Sequence, residues 1–176
     1  MIFKVIVTGA AGFIGAAVSE RLLSDGVSVV GVDNLNSYYD VKLKRNRTRY
    51  LKEYKNFKFF KADICNKMIL KNIFKKNKFD KVINFAAQAG VRYVKKNPDA
   101  YFESNLRGFY NLIEACRIYK IKHLVSASTS SVYGANTNIP FSVNNSADHP
   151  TQFYAATKRS NEIIAHSYSH MYRIPI

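Results

Sequence analysis

Residues Val7–Gly15 read VTGAAGFIG and place glycines at positions 9, 12 and 15 between an apolar run and an amphipathic segment. The run Ile2–Thr8 is typical of a buried strand, and Phe13–Ser24 is typical of a helix, with Ile14, Val18 and Leu22 as its predicted apolar stripe. Glycine lets the chain turn sharply and approach an anion without a Cβ atom in the way. The start of the helix then offers unpaired N–H groups to that anion, so the stretch predicts a phosphate-binding turn.

An acidic residue follows the glycine turn at the sequence distance that is expected for a dinucleotide site. Asp33 ends the next apolar run, Val27–Asp33, 18 residues after Gly15. A carboxylate there accepts hydrogen bonds from the adenosine ribose, which favours NAD over its 2′-phosphorylated form. The pattern predicts a dinucleotide site that also includes Phe13, Ile14 and Asn34, and the alternative is a glycine turn without a ligand.

Apolar runs continue to alternate with amphipathic segments along the chain, which indicates βαβ units around a parallel sheet. We expect one doubly wound α/β domain over residues 1–176, an NAD(P)-binding Rossmann fold. Asp40 and Asn66 are candidate helix N-caps. The further predicted strands are Phe57–Asp63, Asp80–Ala87 and His123–Thr129. The further predicted helices are Tyr39–Tyr54, a short helix after Asn66, Pro98–Tyr119 and Gln152–Tyr172. The predicted buried stripe of the helix Pro98–Tyr119 consists of Phe102, Leu106, Phe109, Ile113 and Cys116.

Two strand ends supply further candidates for the cofactor site. Asp63, followed by Ile64, ends the third strand, where its carboxylate either bonds the adenine ring or caps the strand end. Ala86 and Ala87 end the fourth strand, where small side chains either leave room for a cofactor or fill the core.

Tyr154 and Lys158 are four residues apart in the last predicted helix, so both side chains lie on one helix face. A tyrosine with an ordinary pKa near ~10 is a poor base at neutral pH, but a nearby ammonium favours the phenolate. Such a pair acts as a general acid and base, although two surface side chains would have the same spacing. The hydroxyl cluster SASTSSVYG after the fifth strand favours the catalytic interpretation, because open α/β sheets bind ligands beyond the carboxyl ends of their strands.

Composition and charge narrow the remaining classes of function. The net charge of +15 is spread among apolar residues without a nucleic-acid motif, so we expect no nucleic-acid function but a positive field that favours small anions. Cys65 and Cys116 are far apart, and His166 and His170 lack an acidic ligand nearby, so neither pair predicts a metal or disulfide site. Without an apolar span or a signal peptide, we expect a cytoplasmic protein that does not bind membranes.

With these motifs together, the sequence resembles the extended short-chain dehydrogenases/reductases, and within them the NAD-dependent epimerase/dehydratase family. The resemblance rests on TGAAGFIG, DNLN, NFAAQAGVRY, SNLRGFYNLIEAC, SSVYG and YAATK, and it covers essentially the whole chain. The subgroup that is most similar is the UDP-glucuronate 4-epimerases, because of DNLNSYYD, AAQAGVRY, SSVYGANT and DHP.

The resemblance implies a mechanism. Tyr154 would exchange a proton with the sugar 4-hydroxyl, and Lys158 would bind the nicotinamide ribose. Thr129 would be the hydroxyl partner, with Ser130 and Ser131 on the substrate. NAD would oxidise C4 of a UDP-sugar, the 4-keto sugar would rotate, and the hydride would return to its other face, in precursor synthesis for surface polysaccharides. Family dehydratases have an Asp-Glu pair after the threonine, and the serines here favour an epimerase.

Two weaker assignments and one difference in length follow from the same resemblance. Asn105 would brace the active site, unless it only bonds locally within its helix. Arg92 would meet a phosphate or a sugar carboxylate, unless it forms a surface ion pair.

Family members are roughly twice as long, so we expect the C-terminal substrate lobe to be absent. We then expect the fifth strand to be an exposed edge and RIPI to begin the next strand. The alternative function is therefore a non-catalytic NAD-binding remnant or dimerising subunit, and the predicted homodimer forms through helices 98–119 and 152–172.

Overall fold

A computed structural model describes residues 3–176, and its centre is a five-stranded sheet in which every pairing is parallel. The strand order is β3-β2-β1-β4-β5, so the chain winds outward from β1 in both directions and the predicted doubly wound fold is confirmed. Ile2 of the predicted first strand lies outside the described residues. The strands are β1 Lys4–Thr8, β2 Ser28–Asp33, β3 Phe57–Lys61, β4 Lys81–Asn84 and β5 His123–Ser126.

Helices cover both faces of the sheet. They are α1 Phe13–Ser24, α2 Val41–Leu51, α3 Lys67–Asn77, α4 Pro98–Tyr101, α5 Gly108–Ile118 and α6 Phe153–Tyr172. Val5 and Val7 of β1 point to the side of α1 and α2, whereas Ile6 points to the side of α3 and α5, because successive side chains of a strand alternate. Each strand therefore needs apolar residues on both faces, which is why β1 and β2 read as continuous apolar runs.

Two of the expected helix caps are present. The Asp40 carboxylate accepts from the backbone N–H of Lys42 at 2.8 Å, and the Asn66 side chain accepts from the N–H of Ile69 at 3.1 Å. Both polar side chains satisfy N–H groups that have no partner within the helix. No helix within residues 3–176 has both the length and the apolar character needed to cross a membrane.

The predicted apolar stripe of α1 is wrong. Ile14 is 57% exposed, and Val18 and Leu22 are only half-buried. The residues that face the sheet are instead Gly15, Ala16, Ser19 and Leu23. The first turns of this face carry small side chains because the helix begins directly against the β1 turn, where a larger side chain has no room, and the larger Leu23 lies farther along the helix.

The predicted helix from Pro98 to Tyr119 contains a π-helical segment, Phe102–Arg107, between α4 and α5. A π turn takes more residues than an α turn, so the face that points to the core shifts along the sequence. Tyr101 is fully buried, whereas Phe102, which we predicted to be buried, is 48% exposed. Beyond the π segment the prediction is confirmed, because Phe109, Ile113 and Cys116 lie in the core.

The outer edge of β5 already has its first pairing partner. The backbone N–H of Leu124 donates to the carbonyl of Pro175 at 2.9 Å, and Ile174 is buried. The expectation that RIPI begins another strand agrees with this contact. The edge is therefore open only beyond Leu124, where half-exposed Val125 lies in a groove between β5 and α6.

The packing of α3 against the sheet gives a stability prediction. Phe74 is 1% exposed and contacts the rings of Phe79 and Tyr119, so Phe74→Ala is expected to lower the free energy of unfolding by about 3–5 kcal/mol. Met68 lies on the same helix but is 74% exposed, and Met68→Ala is the matched control with little expected effect. Urea unfolding of both variants checks this, and similar losses for the two would contradict the assigned core.

Candidate functional site

One cleft of about 500 Å³ lies at the carboxyl ends of the central strands. All the residues that the sequence assigned to the cofactor line it, namely Gly9, Gly12, Phe13, Ile14, Gly15, Asp33, Asn34, Asp63, Ile64, Ala86, Ala87, Tyr154 and Lys158. The cleft is at the switch point of the sheet, where β2 and β4 flank β1 and their following loops diverge. Its volume is within the range of small-molecule sites.

The glycine turn brings three elements into direct backbone contact. Gly9 has a φ of +71°, and a Cβ atom there would lie 2.7 Å from the backbone nitrogen of Ala86 after β4. A Cβ atom on Gly15 would overlap the carbonyl oxygen of Gly9. Gly12 precedes α1 without a side-chain cap, so the first N–H groups of the helix face the cleft side of the turn unblocked. The glycine turn therefore has the backbone geometry that a phosphate would need, and anion binding there stays a prediction.

Asp33 connects the glycine turn to the loop after β2. One carboxylate oxygen accepts from the N–H of Ala11 at 3.1 Å, and the other accepts from the N–H of Leu35 at 2.8 Å. Each oxygen keeps a further lone pair, so the carboxylate still accepts hydrogen bonds from a ligand in the cleft.

Asp63 has partners within the protein. Its carboxylate accepts from the Asn34 amide at 2.8 Å and from the N–H of Cys65 at 2.8 Å. Burial acts to raise the pKa of Asp63, but these hydrogen bonds outweigh it and hold the pKa below its ordinary value. The capping interpretation thus has direct contacts, while the carboxylate also lines the cleft.

Basic and aromatic side chains from α2 and the loop before it also line the cleft, and sequence reasoning missed them. Arg47 donates to the carbonyl of Ala11 at 3.3 Å and lies 5.9 Å from the ring of Phe13. Lys44 donates to the backbone carbonyl of Asn36 at 2.9 Å and to its side-chain oxygen at 2.6 Å. Burial lowers the pKa of Lys44, against the opposing effect of Asp33. The only signal for these residues was that α2 is basic and follows Asp33 directly.

Tyr154 and Lys158 project from the first turns of α6 into the other end of the cleft. Lys158 is 3% exposed, and no oxygen atom of residues 3–176 accepts a hydrogen bond from its ammonium. Burial lowers the pKa of Lys158 to about 8, although the carboxylate of Glu162 acts to raise it. The ammonium borders the cleft without an acceptor among the described residues, so it is free to donate hydrogen bonds to a polar ligand there.

Asn105 braces this end of the cleft from the π segment. Its side-chain oxygen accepts from the N–H of Gln88 at 2.8 Å, and its amide donates to the Gln88 carbonyl at 3.1 Å and to Thr157 at 3.0 Å. Thr157 in turn donates to the carbonyl of Tyr154 at 2.7 Å. The contacts are thus long-range rather than local to the helix, and they fix the loop after β4 relative to the Tyr154 turn.

The residues predicted to bind the substrate are not among those that line the cleft. Thr129 caps the short 3₁₀ turn Ser130–Tyr133 and accepts from the N–H of Ser131 at 3.2 Å, while Ser130 is exposed. Arg92 is exposed at the start of another 3₁₀ turn. Within the hydroxyl cluster, the member that lines the cleft is Ser128, which donates to Glu162. Ser128 is in the predicted cluster, but nothing in the motif distinguished it from its neighbours.

The other candidate reactive groups lie apart from the cleft. Burial raises the pKa of the Cys65 thiol to about 12, and Cys116 is enclosed in the core, which also raises its pKa. His166 and His170 are exposed on α6. Among the described residues, no three His, Cys, Asp or Glu side chains form a group that would hold a metal ion.

Comparisons with known proteins place this geometry in a family. Residues 6–176 match the family described as GDP-mannose 4,6 dehydratase. Protein CapI of Staphylococcus aureus is 47% identical over 98% of this chain and 51% of its own length. A probable UDP-glucuronate 4-epimerase of Rhizobium meliloti is 45% identical over 98% of this chain and 50% of its own length.

A solved structure shares the fold closely. The UDP-glucuronic acid 4-epimerase of Bacillus cereus, in complex with UDP-glucuronic acid and NAD, superposes with a TM-score of 0.90 at 34% identity. The alignment covers 99% of this chain and 55% of that one, and the chain spans about half the length of the curated relatives that it matches. The family match over nearly the whole chain confirms the predicted resemblance: this chain belongs to the GDP-mannose 4,6 dehydratase family of extended short-chain dehydrogenases/reductases.

Proposed function

We propose that this chain binds NAD in the cleft and belongs to a nucleotide-sugar 4-epimerase that interconverts UDP-glucuronate and UDP-galacturonate. The observation that supports this most strongly is the Lys158 ammonium, which borders the cleft without an acceptor among residues 3–176 and lies four residues after Tyr154. The relatives and the solved structure of similar fold include UDP-glucuronate 4-epimerases, and that structure contains NAD.

The residues of the cleft fit a dinucleotide from end to end. The N–H groups at the start of α1 and the glycine turn suit the pyrophosphate. Asp33 has lone pairs free for the adenosine ribose hydroxyls and would repel a 2′-phosphate, which supports NAD over its phosphorylated form. Lys158 is left to donate to the hydroxyls of the nicotinamide ribose.

The same end of the cleft supports the chemistry. NAD, if held by these residues, would supply the hydride acceptor and donor that a change of configuration at sugar C4 requires. Tyr154 would take the proton of the 4-hydroxyl during oxidation and give it back during reduction. Lys158 would hold its charge close to the phenol. By the resemblance, Thr129 would orient the sugar hydroxyl and Ser130, Ser131 and Arg92 would contact the substrate, although these four residues lie outside the cleft lining.

An epimerase is favoured over a dehydratase, although the family carries the dehydratase name. Elimination of water needs an acid beside the reacting sugar. The acids that line the cleft, Asp33 and Asp63, lie at the end with the glycine turn. Glu162, at the other end, is outside the lining and already accepts from Ser128 and Arg159. Ser130 and Ser131 follow Thr129 where the dehydratase pattern has acids.

The assembly and cellular role are part of the same proposal. A homodimer through α4–α5 and α6 is supported by exposed apolar side chains on these helices, including Tyr110, Ile163 and Met171. Such apolar surface on two neighbouring helices is typical of an interface. By resemblance, the protein would act in the cytoplasm on a precursor of surface polysaccharides.

Two measurements test the proposed function. Isothermal titration with NAD reports coenzyme binding, and chromatography after incubation with UDP-glucuronate reports UDP-galacturonate. Binding with turnover is the expected result. Binding without turnover would support a non-catalytic NAD-binding subunit, and the absence of binding would refute the assignment of the cleft.

Tyr154→Phe removes the phenolic proton but keeps the ring that contacts Tyr101 at 6.1 Å between ring centres. Turnover is expected to fall by about 10²–10⁴-fold, because general acid–base catalysis contributes that much, while NAD affinity is retained. Tyr133→Phe, outside the cleft lining, is the control. Equal turnover in wild type and Tyr154→Phe would exclude Tyr154 as the acid and base.

Lys158→Met is expected to weaken NAD binding and to stabilise the fold at pH 7. The pKa of Lys158 is about 8 in the folded chain and 10.5 ordinarily, so holding the charged form costs on the order of 3 kcal/mol below pH 8. Between pH 8 and 10.5 the unfolded chain binds more protons than the folded one, so wild-type stability rises with pH through this range. The stability advantage of the variant should therefore shrink there.

Urea unfolding at a series of pH values measures this difference. Lys71→Met, at an exposed position of α3, is the control and should show no such trend. A Lys158→Met variant that is less stable than the wild type at pH 7 would contradict the cost assigned to the buried ammonium.

Ile163→Glu tests the proposed dimer. Ile163 is 58% exposed on α6, and a carboxylate there would be buried without a partner in a helix-packed dimer. Sedimentation velocity is expected to show dimers for the wild type and monomers for the variant. Val143→Glu, at a residue that is 91% exposed in a distant loop, should remain dimeric. A monomeric wild type would refute the interface.

A further inference from the structure

A contact between two tyrosine rings joins the opposite sides of the cleft. Tyr38 belongs to the loop after β2, and Tyr93 belongs to the 3₁₀ turn that follows β4. Their ring centres are 5.1 Å apart at an interplanar angle of 60°, which is a favourable aromatic geometry. Because β2 and β4 lie on either side of β1, this pair, the tyrosine bridge, joins the loops that follow these two strands, and Tyr38 lines the cleft.

The loop after β4 is shaped to accept the bridge. Gly90 has a φ of +86°, and a Cβ atom there would lie 2.9 Å from the hydroxyl oxygen of Tyr38. The hydroxyl of Tyr101 donates to the Gly90 carbonyl at 2.6 Å and fixes this loop from below. Glycine is thus needed at position 90 for its backbone conformation and for the space that Tyr38 occupies.

The loop after β2 is fixed as well. The ammonium of Lys44 holds Asn36 through both its backbone carbonyl and its side chain, two residues before Tyr38. Two anchored loops thus meet through the rings of Tyr38, which is 43% exposed, and Tyr93. Tyr38 also lines the cleft, so a ligand that fills the cleft would lie against it.

We propose that the tyrosine bridge retains the coenzyme by slowing its dissociation from the cleft. This inference rests on the proposed function, since an epimerase must return the hydride to the same sugar from the same coenzyme. A coenzyme that left between the two hydride transfers would strand the 4-keto sugar, so its residence time has to exceed the turnover time. Tyr38 and Tyr93 are accordingly positioning residues, with no part in the chemistry.

The experiment measures the dissociation of NADH from the chain. Excess NAD displaces bound NADH, and the decay of NADH fluorescence gives the dissociation rate constant. Tyr38→Ala and Tyr93→Ala are each expected to raise this rate constant by about 2- to 10-fold, as loss of one aromatic pair implies. Both substitutions remove the Tyr38–Tyr93 contact, and only Tyr93→Ala also removes the contact with Tyr101 at 6.4 Å between ring centres. The double variant should therefore dissociate no faster than Tyr93→Ala.

Two further variants separate the ring contact from other effects. Tyr38→Phe keeps the ring and is expected to dissociate at the wild-type rate. Phe141→Ala removes a comparable pair, in which Phe141 stacks on Tyr133 at 4.9 Å outside the cleft lining, and should also leave the rate unchanged. Thermal unfolding verifies that each variant is folded. If one of the two alanine variants does not fold, the other still tests the ring contact.

Unchanged dissociation in both alanine variants would overturn the bridge, and so would effects that multiply in the double variant. A Tyr38→Phe variant as fast as Tyr38→Ala would also overturn it, because the phenol rather than the ring pair would then be responsible. A wild-type chain that binds no NADH would instead refute the proposed function and, with it, the inference. The two failures are therefore distinguishable.

Discussion

The cleft exists because the main chain at Gly15 lies directly against the carbonyl of Gly9. This contact starts α1 immediately over the end of β1 and leaves the first N–H groups of the helix without a cap. The same turn lies against the backbone of Ala86 and donates the Ala11 N–H to Asp33. The ends of β1, β2 and β4 are thereby held at one point, and a side chain at either glycine would separate them.

The sequence was sufficient for the fold because each of its signals was local. Apolar runs mark the strands, and Asp40 and Asn66 mark the starts of two helices, since capping involves residues only a few positions apart. The cofactor end of the site was equally predictable, because its residues directly follow strands whose carboxyl ends must lie together in a parallel sheet. The apolar pattern failed to predict the buried face at the start of α1, because the helix lies so close to the β1 turn that Gly15, Ala16 and Ser19 are buried there.

Other features depend on contacts between distant parts of the chain. The π segment lies where Asn105 hydrogen-bonds to Gln88 and Thr157, and no periodicity in the sequence predicts these long-range hydrogen bonds. Tyr38, Lys44 and Arg47 join the cleft only because α2 and its preceding loop fold over Asp33. Ser128 rather than Thr129 lines the cleft, because Thr129 caps the next turn, and a run of hydroxyl residues does not reveal which member turns inward.

The exposed start of α1 has a thermodynamic consequence. Phe13 is 80% exposed and Ile14 is 57% exposed, although both line the cleft. Any ligand that fills the cleft removes part of this apolar surface from water, and burial of apolar surface lowers the heat capacity of a complex. The enthalpy of complex formation should therefore become more favourable on warming. Calorimetry at several temperatures would thus detect a ligand that covers the first turn of α1.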